Sequence, residues 1–268
     1  MIEVPFVKLH GAENDFLLTW SNEAPSERLP EIARRICART TGIGADGWML
    51  VTRGNGFLQT RLFNSDGSEP EISGNGTRCA AAFGLSTKTV TGPLIRINTA
   101  AGEKTLQLIR EHENSFVFEM NMGLPHTEEV RARLHLRGSE LDAAILNVGN
   151  PQCAIFVDRI PEQWQVAAAE AERHWRFPAR SNVSFVRVLD RHTIEAVFFE
   201  RGVGETKSSG TGSTGAAVAA ILRGDVESPV EIRTPAGSLH LRWADSVYLT
   251  GPAEIVGEGR FFLDLGNS

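Results

Sequence analysis

The sequence predicts an α+β protein of two pseudosymmetric halves, each a mostly antiparallel sheet wrapped around a helix. A repeated motif is the first observation behind this prediction: Ser73-Gly74-Asn75-Gly76-Thr77 returns 136 residues later as Ser209-Gly210-Thr211-Gly212-Ser213. The second is a small, alanine-rich segment after each copy, and the third is a set of short segments rich in β-branched and aromatic residues. An offset close to half of the 268 residues indicates a duplicated domain.

Other residues repeat near the same spacing. The pairs are Asn14 with Asn150, Asp46 with Asn182, Phe63-Asn64 with Phe199-Glu200, and the turn Thr99-Ala100-Ala101-Gly102 with Thr234-Pro235-Ala236-Gly237. We therefore expect an N-terminal half at residues 1–125 and a C-terminal half at residues 126–268. In the alternative that we keep open, the tail 250–268 returns to the first half.

Most of the chain is predicted to be strand and turn. Four apolar segments predict strands: Phe6–Leu9, Trp48–Val51, Phe116–Met120 and Val183–Val186. Four others predict helices, two in each half: Pro30–Arg39, the segment after Ser73, Pro161–Trp175 and the segment after Ser209. The two prolines suit the first helical position.

A glycine-rich segment, Gly42–Gly47, matches a dinucleotide-binding motif in its letters. That motif must follow a strand and open a helix, whereas this segment follows a predicted helix and precedes a predicted strand. We interpret its glycines as a turn and assign no nucleotide.

Composition excludes several classes of function. A net charge of −6 and scattered arginines argue against nucleic-acid binding. No apolar segment approaches the roughly 20 residues that span a bilayer, and the N-terminus lacks the pattern of a signal peptide. We expect a cytoplasmic protein with no membrane partner. Three widely spaced cysteines, Cys37, Cys79 and Cys153, offer neither a disulfide framework nor a zinc pattern, so we predict no metal and buried thiols.

Ser73 and Ser209 each stand where a helix is predicted to begin, and serine is a favoured N-cap residue. The exposed N–H groups and the dipole of a helix N-terminus attract anions such as carboxylates. A single copy would be no more than a capped helix. Two copies at matched positions favour a ligand site to which both helices contribute.

Many ordered segments carry a resemblance to a known family. They are Lys8–Gly11, Asn14–Phe16, Gly42–Asp46, Phe63–Glu69, Gly74–Cys79, Gly149–Pro151, Asn182-Val183, Glu200–Thr206, Gly210–Gly212 and Leu249–Ala253. With these segments the chain resembles the diaminopimelate epimerase family, in the superfamily of proline racemase and the phenazine-biosynthesis isomerases. The resemblance implies a central helix in each domain, an amino acid held in the cleft, a place in lysine biosynthesis, no cofactor, and a homodimer.

The resemblance also implies a set of site residues. Six side chains would hold the distal end of the substrate: Asn14, Asn64, Asn150, Asn182, Glu200 and Arg201. The reacting carboxylate would lie at Gly74-Asn75 and Gly210-Thr211. In that family one cysteine removes the α-proton while a second delivers a proton to the opposite face.

This chain departs from the family at the reacting groups. Both catalytic cysteine positions are serine, Ser73 and Ser209, and serine acts as a base only when a partner takes its proton. The histidine that the family has after Gly-Asn-Pro is Gln152, and its glutamine after Ala-Asp is Gly47. Two-thiol epimerisation of diaminopimelate is therefore unavailable.

Glu13 stands where the family has glycine, immediately before Asn14. In a closed apolar cleft the pKa of a carboxyl group rises into the working range of a general base, so Glu13 joins the two serines as a candidate catalytic residue. The alternative is a solvated loop residue. Glu205 and His10 are further candidates for the base.

The sequence therefore predicts a cofactor-independent isomerase that acts on a small amino acid or a related carboxylic acid by removing a proton beside a carboxylate. One alternative is a non-catalytic homologue that binds an amino acid. Another is a hydro-lyase or proton-shift isomerase that uses Glu13. A third is an epimerase inactivated by the two serines, against which Gln152, Gly47 and Glu13 argue.

Overall fold

The computed structural model describes residues 2–136 and 138–263, and the chain divides into two compact units. The first unit ends at Met120 and resumes at Gly251, and the second unit runs from Asn121 to Thr250. The chain passes between the units within two of its strands, β7 (Ser115–Gly123) and β16 (Val247–Leu263).

The first unit contains a mixed sheet and two helices. Its elements are β1 (Ile2–Gly11), β2 (Asn14–Trp20), α1 (Leu29–Ile36), β3 (Gly47–Arg53), β4 (Leu58–Asn64), α2 (Gly74–Ser86), β5 (Leu94–Thr99), β6 (Gly102–His112), β7 and the last part of β16. Antiparallel pairs join β1 to β2, β3 to β4, β5 to β6, β6 to β7 and β1 to β16. Parallel pairs join β2 to β3 and β4 to β5. The predicted strands at Phe6–Leu9, Trp48–Val51 and Phe116–Met120 are confirmed.

The second unit repeats this plan. Its elements are β8 (His126–Leu136), β9 (Ser139–Asn147), β10 (Pro151–Phe156), α3 (Trp164–Glu172), β11 (Asn182–Asp190), β12 (Thr193–Glu200), β13 (Gly204–Thr206), α4 (Gly210–Arg223), β14 (Val230–Thr234), β15 (Gly237–Trp243) and the first part of β16. The pairs β10 to β11 and β12 to β14 are parallel, and the other strand pairs within this unit are antiparallel. The strand predicted at Val183–Val186 lies in β11.

The two units share an order of elements as well as a motif. Each has a hairpin, an outer helix, a strand parallel to the hairpin, an antiparallel return strand, a buried helix, and a further strand parallel to the return strand. The predicted α+β fold with two pseudosymmetric halves is therefore confirmed.

The helices that follow the repeated motif lie inside their units. Every residue from Gly74 to Gly84 in α2 and from Gly210 to Ala220 in α4 is buried. A helix surrounded by strands on several sides can bury all of its faces only when its side chains are small, which explains the alanine-rich composition. The sequence prediction of a helix after each serine is confirmed.

The outer helix of the first unit, α1, is shorter than the predicted Pro30–Arg39. It begins at Leu29, carries Pro30 in its first turn and ends at Ile36. After Ile36 the chain folds back, and the N–H groups of Ile43 and Gly44 both donate to the Ile36 carbonyl. A Cβ at Gly42 would lie 2.2 Å from the Arg35 carbonyl oxygen, so glycine is required at this close approach. The predicted turn over Gly42–Gly47 is confirmed.

The outer helix of the second unit, α3, also differs from its prediction, which was Pro161–Trp175. The Trp164 N–H donates to the Pro161 carbonyl in a turn, so Pro161 precedes the helix and does not occupy its first position. The helix ends at Glu172, whose carbonyl accepts from the Ser181 N–H. Local proline and charge patterns therefore overestimated both outer helices. In the part of the chain that the structure describes, no helix has the length and apolar character to cross a membrane.

Candidate functional site

Ser73 and Ser209 are the N-cap residues of α2 and α4. The Ser73 Oγ accepts from the Gly76 N–H and the Ser209 Oγ accepts from the Gly212 N–H, each at 3.1 Å. Both serines have extended backbone angles, with φ of −124° and −138°. The predicted N-caps are confirmed, and each serine satisfies one of the first four N–H groups of its helix, which have no partner within the helix.

Glycine within the motif is required by packing. A Cβ on Gly76 would lie 2.8 Å from the Met49 Cε, and one on Gly212 would lie 2.7 Å from the Phe198 Cδ1. The first turn of each helix therefore lies directly against a side chain of the surrounding sheet. This contact holds both serine caps in place.

In each unit an asparagine at the start of a strand, Asn14 as the first residue of β2 and Asn150 immediately before β10, is hydrogen-bonded to the first turn of the buried helix. In the first unit the Asn75 Nδ2 donates to the Asn14 Oδ1 at 3.2 Å. In the second the Asn150 Nδ2 donates to the Thr211 Oγ1 at 3.3 Å. The structure thus brings together four residues predicted from the sequence, two in each unit, beside a serine cap.

The first-unit asparagine belongs to a charged network. The Asn14 Nδ2 donates to the Asp46 Oδ2 at 2.7 Å, and Asp46 also accepts from Arg39 at 2.7 Å. Arg39 donates to both oxygens of Asp15 at 2.8 Å, and the Lys8 Nζ lies 3.0 Å from Asp15. Burial raises the pKa of Asp15, but the hydrogen bonds from Arg39 and Lys8 outweigh it and hold that pKa below its ordinary value. Sequence reasoning missed this network.

Asn64 closes β4 beside this network without joining it through its side chain. The Asn64 Nδ2 donates to the Ser68 Oγ at 3.0 Å, and the following Ser65 N–H donates to the Asp46 carbonyl at 2.9 Å. The position of Asn64 is therefore fixed by its own turn and by its pairing with Gly47 in the sheet.

Asn182 organises the corresponding region of the second unit. Its Nδ2 donates to the Pro151 carbonyl at 2.9 Å, and its Oδ1 accepts from the Arg201 N–H at 3.0 Å. Glu200 accepts from the Thr206 Oγ1 at 3.3 Å. The structure therefore joins Asn182 to the backbone of Arg201, and their common role in binding a substrate stays a prediction.

The turn after Arg201 is held by a residue that the sequence did not indicate. Glu172, at the end of α3, is 1% exposed, and its Oε1 accepts from the Gly202 N–H at 2.9 Å. A glutamate that is almost completely buried usually carries a structural partner of this kind. A single acidic residue near a helix end gives no such signal in the sequence.

Gln152 and Gly47, which the resemblance singled out as differing from the family, fit their surroundings closely. Gln152 is 1% exposed, and its Nε2 donates to the Asn150 Oδ1 at 2.6 Å. A Cβ on Gly215 would lie 2.9 Å from the Gln152 Cγ, so α4 accommodates this side chain only because residue 215 is glycine. At Gly47 a Cβ would lie 2.9 Å from the Phe63 carbonyl oxygen, which leaves no room for a side chain there.

Glu13 occupies a strained position. It follows Ala12 in the tight turn between β1 and β2, with φ of 52° for Ala12 and 60° for Glu13. Turns with positive φ at both central residues favour glycine and asparagine. The corresponding residue of the second unit is Gly149, with φ of 103°. Glu13 is exposed, and it directly precedes Asn14, the asparagine that contacts α2.

None of the three thiols is available as a base. Cys37, Cys79 and Cys153 are buried, and burial raises the pKa of each to about 12. A thiol with such a pKa is protonated at neutral pH and cannot remove a proton. The prediction that these cysteines are buried is confirmed.

The two further candidates for a base have other contacts. Glu205 is exposed and accepts from the Gln165 Nε2 at 3.1 Å. The His10 Nε2 lies 3.6 Å from Glu254. Neither residue hydrogen-bonds to Ser209 or Ser73 among the residues that the structure describes.

A cavity of about 120 Å³ lies beside Ser73 in the first unit. Its wall includes Thr77 of α2 and the ion pair of Arg61 with Glu69. Since one water molecule takes about 30 Å³ in the liquid, this space accepts a few waters or one small polar group of a ligand.

Comparison with known proteins places the chain in a family. The family model described as diaminopimelate epimerase matches residues 6–127 and 144–256. The diaminopimelate epimerase of Moorella thermoacetica is 38% identical over 278 residues, which cover 97% of this chain and 99% of that protein. The diaminopimelate epimerase of Ectopseudomonas mendocina is 36% identical and covers 95% and 98%.

Solved structures share the fold at much lower identity. A probable proline racemase from Agrobacterium radiobacter K84, with bound carbonate, has a TM-score of 0.77 and 14% identity over 98% of this chain and 94% of that chain. A phenazine biosynthesis protein of the PhzF family from Bacillus anthracis has a TM-score of 0.75 and 13% identity, covering 98% and 100%. The matched family model and the full-length relatives together show that this chain belongs to the diaminopimelate epimerase family of PLP-independent isomerases.

Proposed function

We propose that this protein acts on diaminopimelate, or on an amino acid of closely similar shape, and exchanges the proton on the carbon beside a carboxylate. The observation that carries this proposal is the repeated arrangement of a serine-capped helix N-terminus hydrogen-bonded to an asparagine, Asn14 with Asn75 and Asn150 with Thr211. The names of the relatives supply the substrate.

The helix N-termini would stabilise the charge that develops in the reaction. Removal of an α-proton moves negative charge onto the neighbouring carboxylate, and N–H groups fixed in advance lower the energy of that state. Loss of one such donor in comparable sites lowers kcat about 10²- to 10³-fold. Gly74-Asn75 and Gly210-Thr211 are the groups that would provide these donors.

Ser73 and Ser209 would bind or orient the substrate. Each Oγ already accepts a backbone hydrogen bond, and no ionisable side chain of the described residues hydrogen-bonds to either oxygen. An unassisted hydroxyl does not remove protons near neutral pH. The proton would instead pass to the Glu13 carboxylate, and a water molecule would protonate the opposite face of the same carbon. Glu13 would then return its proton to the hydroxide left by that water, so that the carbon is inverted and its new proton comes from solvent.

A second candidate function is amino-acid binding without catalysis. The same serine geometry favours it, because the two hydroxyl groups complete helix caps and lack a partner base. In that case the asparagines and helix N-termini would hold the amino acid, and no bond to carbon would break.

Incubation with LL- and meso-diaminopimelate in deuterated water, followed by NMR, separates the two functions. The isomerase proposal predicts loss of the α-proton signal, and predicts that Glu13→Gln slows this exchange at least 10²-fold, the lower bound for general acid–base catalysis. Binding measured by calorimetry without exchange would establish the binding function. New signals from an unsaturated product would indicate a hydro-lyase or a proton-shift isomerase. The absence of both binding and exchange would refute the assigned substrate.

The cytoplasmic location, expected from the sequence pattern, and the homodimer, implied by the resemblance, stay predictions. Size-exclusion chromatography with light scattering checks the second, since a dimer doubles the mass of 29.3 kDa.

A further inference from the structure

Arg78 is a fully buried cation on α2, one turn below Gly74. Its guanidinium has 0% exposure and donates to three uncharged acceptors: the Pro252 carbonyl at 3.0 Å, the Gly74 carbonyl at 3.5 Å and the Asn75 Oδ1. Among the residues that the structure describes, no carboxylate hydrogen-bonds to it. A buried arginine without a carboxylate is rare, and its retention calls for a role beyond packing.

The charge of Arg78 persists at neutral pH. Burial lowers its pKa to about 10, so the guanidinium remains protonated at pH 7 and below. It is therefore a donor under working conditions and cannot accept a hydrogen bond.

A donor at one end and an acceptor at the other fix the direction of two amides between them. Because Arg78 only donates, the Asn75 Oδ1 must face it and the Asn75 Nδ2 must face the Asn14 Oδ1. The Asn14 Nδ2 then donates to the Asp46 carboxylate, which only accepts. Reversal of either amide would place two donors or two acceptors against each other.

The second unit has no such fixed direction. Thr214 stands where the repeat places the counterpart of Arg78, and its Oγ1 donates to the Gly210 carbonyl at 2.8 Å. The amide of Asn150 lies between Gln152 and Thr211, and both of these side chains can donate and accept. Only the first unit has the polarity of its asparagine set by charges.

We propose that Arg78 is a positioning residue that sets the polarity of Asn75 and Asn14 and places an uncompensated positive charge behind the N-terminus of α2. The first unit then presents fixed donor and acceptor positions and the more positive of the two helix N-termini. We infer that it binds the carboxylate of the amino acid more strongly than the second unit does. The part of this inference that concerns the carboxylate rests on the proposed function.

The polarity is tested in the free protein, without any substrate. Side-chain amide signals of Asn14 and Asn75, identified by selective ¹⁵N-asparagine labelling and single alanine variants, are compared in wild type, Arg78→Met and Arg78→Lys. Arg78→Met should shift both amides and increase their hydrogen exchange with water at least tenfold. Arg78→Lys keeps the charge but loses the planar set of donors, so it should restore this protection only in part. Unchanged amide signals in folded Arg78→Met would overturn the proposal.

Measured affinity for the amino acid tests the second part of the proposal, that the first unit binds the carboxylate more strongly. Calorimetry with LL-diaminopimelate should give a Kd about tenfold or more weaker for Arg78→Met, as expected from losing a hydrogen bond made by a charged group. The matched control is Thr214→Val at the corresponding position of the second unit, which should change the Kd less than twofold. Equal losses in both variants would contradict a special role for the first unit. If wild type does not bind LL-diaminopimelate, the proposed function fails while the amide spectra still decide the role of Arg78.

Circular dichroism and thermal unfolding exclude trivial misfolding. Should Arg78→Met fail to fold, Arg78→Lys alone remains decisive, because lysine keeps the charge but lacks the planar donors that reach both Asn75 and Pro252. The proposal then expects intermediate amide protection and a Kd weakened less than tenfold. Wild-type amide signals and affinity in Arg78→Lys would overturn it.

Discussion

The two units have the same order of elements, yet they hold their asparagines differently. In the first unit, the Asn14 amide lies between the Asn75 amide, to which Arg78 donates, and the Asp46 carboxylate. Arg39, Asp15 and Lys8 continue the charged network beyond Asp46. In the second unit, Asn150 lies between Gln152 and Thr211, which are neutral. Two duplicated units can therefore keep the same contact between an asparagine and a helix N-terminus while the groups that orient the asparagine differ in charge.

This difference predicts which unit tolerates substitutions better. A neutral hydrogen-bond network reverses its donors and acceptors at little cost, whereas a charged network that loses one member leaves another charge buried without a partner. We expect changes in the first unit to have larger effects on stability than matched changes in the second. The predictions below address this comparison, from the largest expected effect to the smallest.

The largest effect should come from restoring sulfur to both helix N-termini. Ser73→Cys with Ser209→Cys introduces thiols whose pKa the helix N-terminus lowers, so a base becomes available in each unit. We expect proton exchange of diaminopimelate to increase roughly 10²- to 10⁴-fold, the usual contribution of general acid–base catalysis. NMR in deuterated water measures this rate, and the single variants show whether one unit supplies most of it. A double variant that binds the substrate without faster exchange would contradict the proposed arrangement.

Asp15 should give the next largest effect, on stability and its pH dependence. Asp15→Asn leaves Arg39 and Lys8 without their shared carboxylate, and breaking a buried ion pair in this way costs about 3–5 kcal/mol at full burial. Because Arg39 is 58% exposed and keeps its bond to Asp46, and Lys8 keeps its bond to the Gly44 carbonyl, we expect a smaller loss of about 1–3 kcal/mol at pH 7, measured by urea unfolding.

The sign of the pH effect follows from the lowered pKa of Asp15. Its contribution is complete above the unfolded pKa of about 3.9 and is lost as the pH falls through the lower folded pKa. Wild type and Asp15→Asn should therefore converge in stability as the pH falls below the unfolded pKa of about 3.9. The counterpart of Asp15 in the second unit is Pro151, which does not titrate. A constant difference between the two proteins from pH 7 to pH 2 would show that the ion pairs are not its source.

The smallest effect concerns the tight turns that precede Asn14 and Asn150. A left-handed backbone conformation costs glutamate about 1–2 kcal/mol, which glycine avoids. Glycine also makes the unfolded chain more flexible, and this cancels part of the stabilisation. We expect Glu13→Gly to stabilise the protein by about 0.5–1 kcal/mol and the matched Gly149→Glu to destabilise it by a similar amount.

Thermal unfolding of both variants measures these changes, and the exchange assay shows what Glu13 provides in return. A gain in stability with loss of exchange would identify Glu13 as a residue kept for catalysis against its backbone preference. A gain in stability with unchanged exchange would show that Glu13 is a solvated loop residue without a catalytic role.

Much of the fold could be read from residue types, and the errors have a common cause. The serine caps, the buried alanine-rich helices and the turn over Gly42–Gly47 depend on neighbouring residues, and all were predicted correctly. The ends of α1 and α3 were wrong because backbone groups from later in the chain determine them, as with the Ile43 N–H on Ile36 and the Ser181 N–H on Glu172.

The sequence by itself determined the duplication, the two capped helices and the repeat of Asn14 as Asn150, because each depends on a local pattern that repeats at a constant spacing. Only the tertiary structure decided how those asparagines are supported. Asn14 meets Asp46 32 residues away and Asn75 61 residues away, and Arg78 reaches Pro252 across 174 residues. Hydrogen-bond partners at such separations are brought together by strand pairing and burial, which no local pattern of residue types specifies.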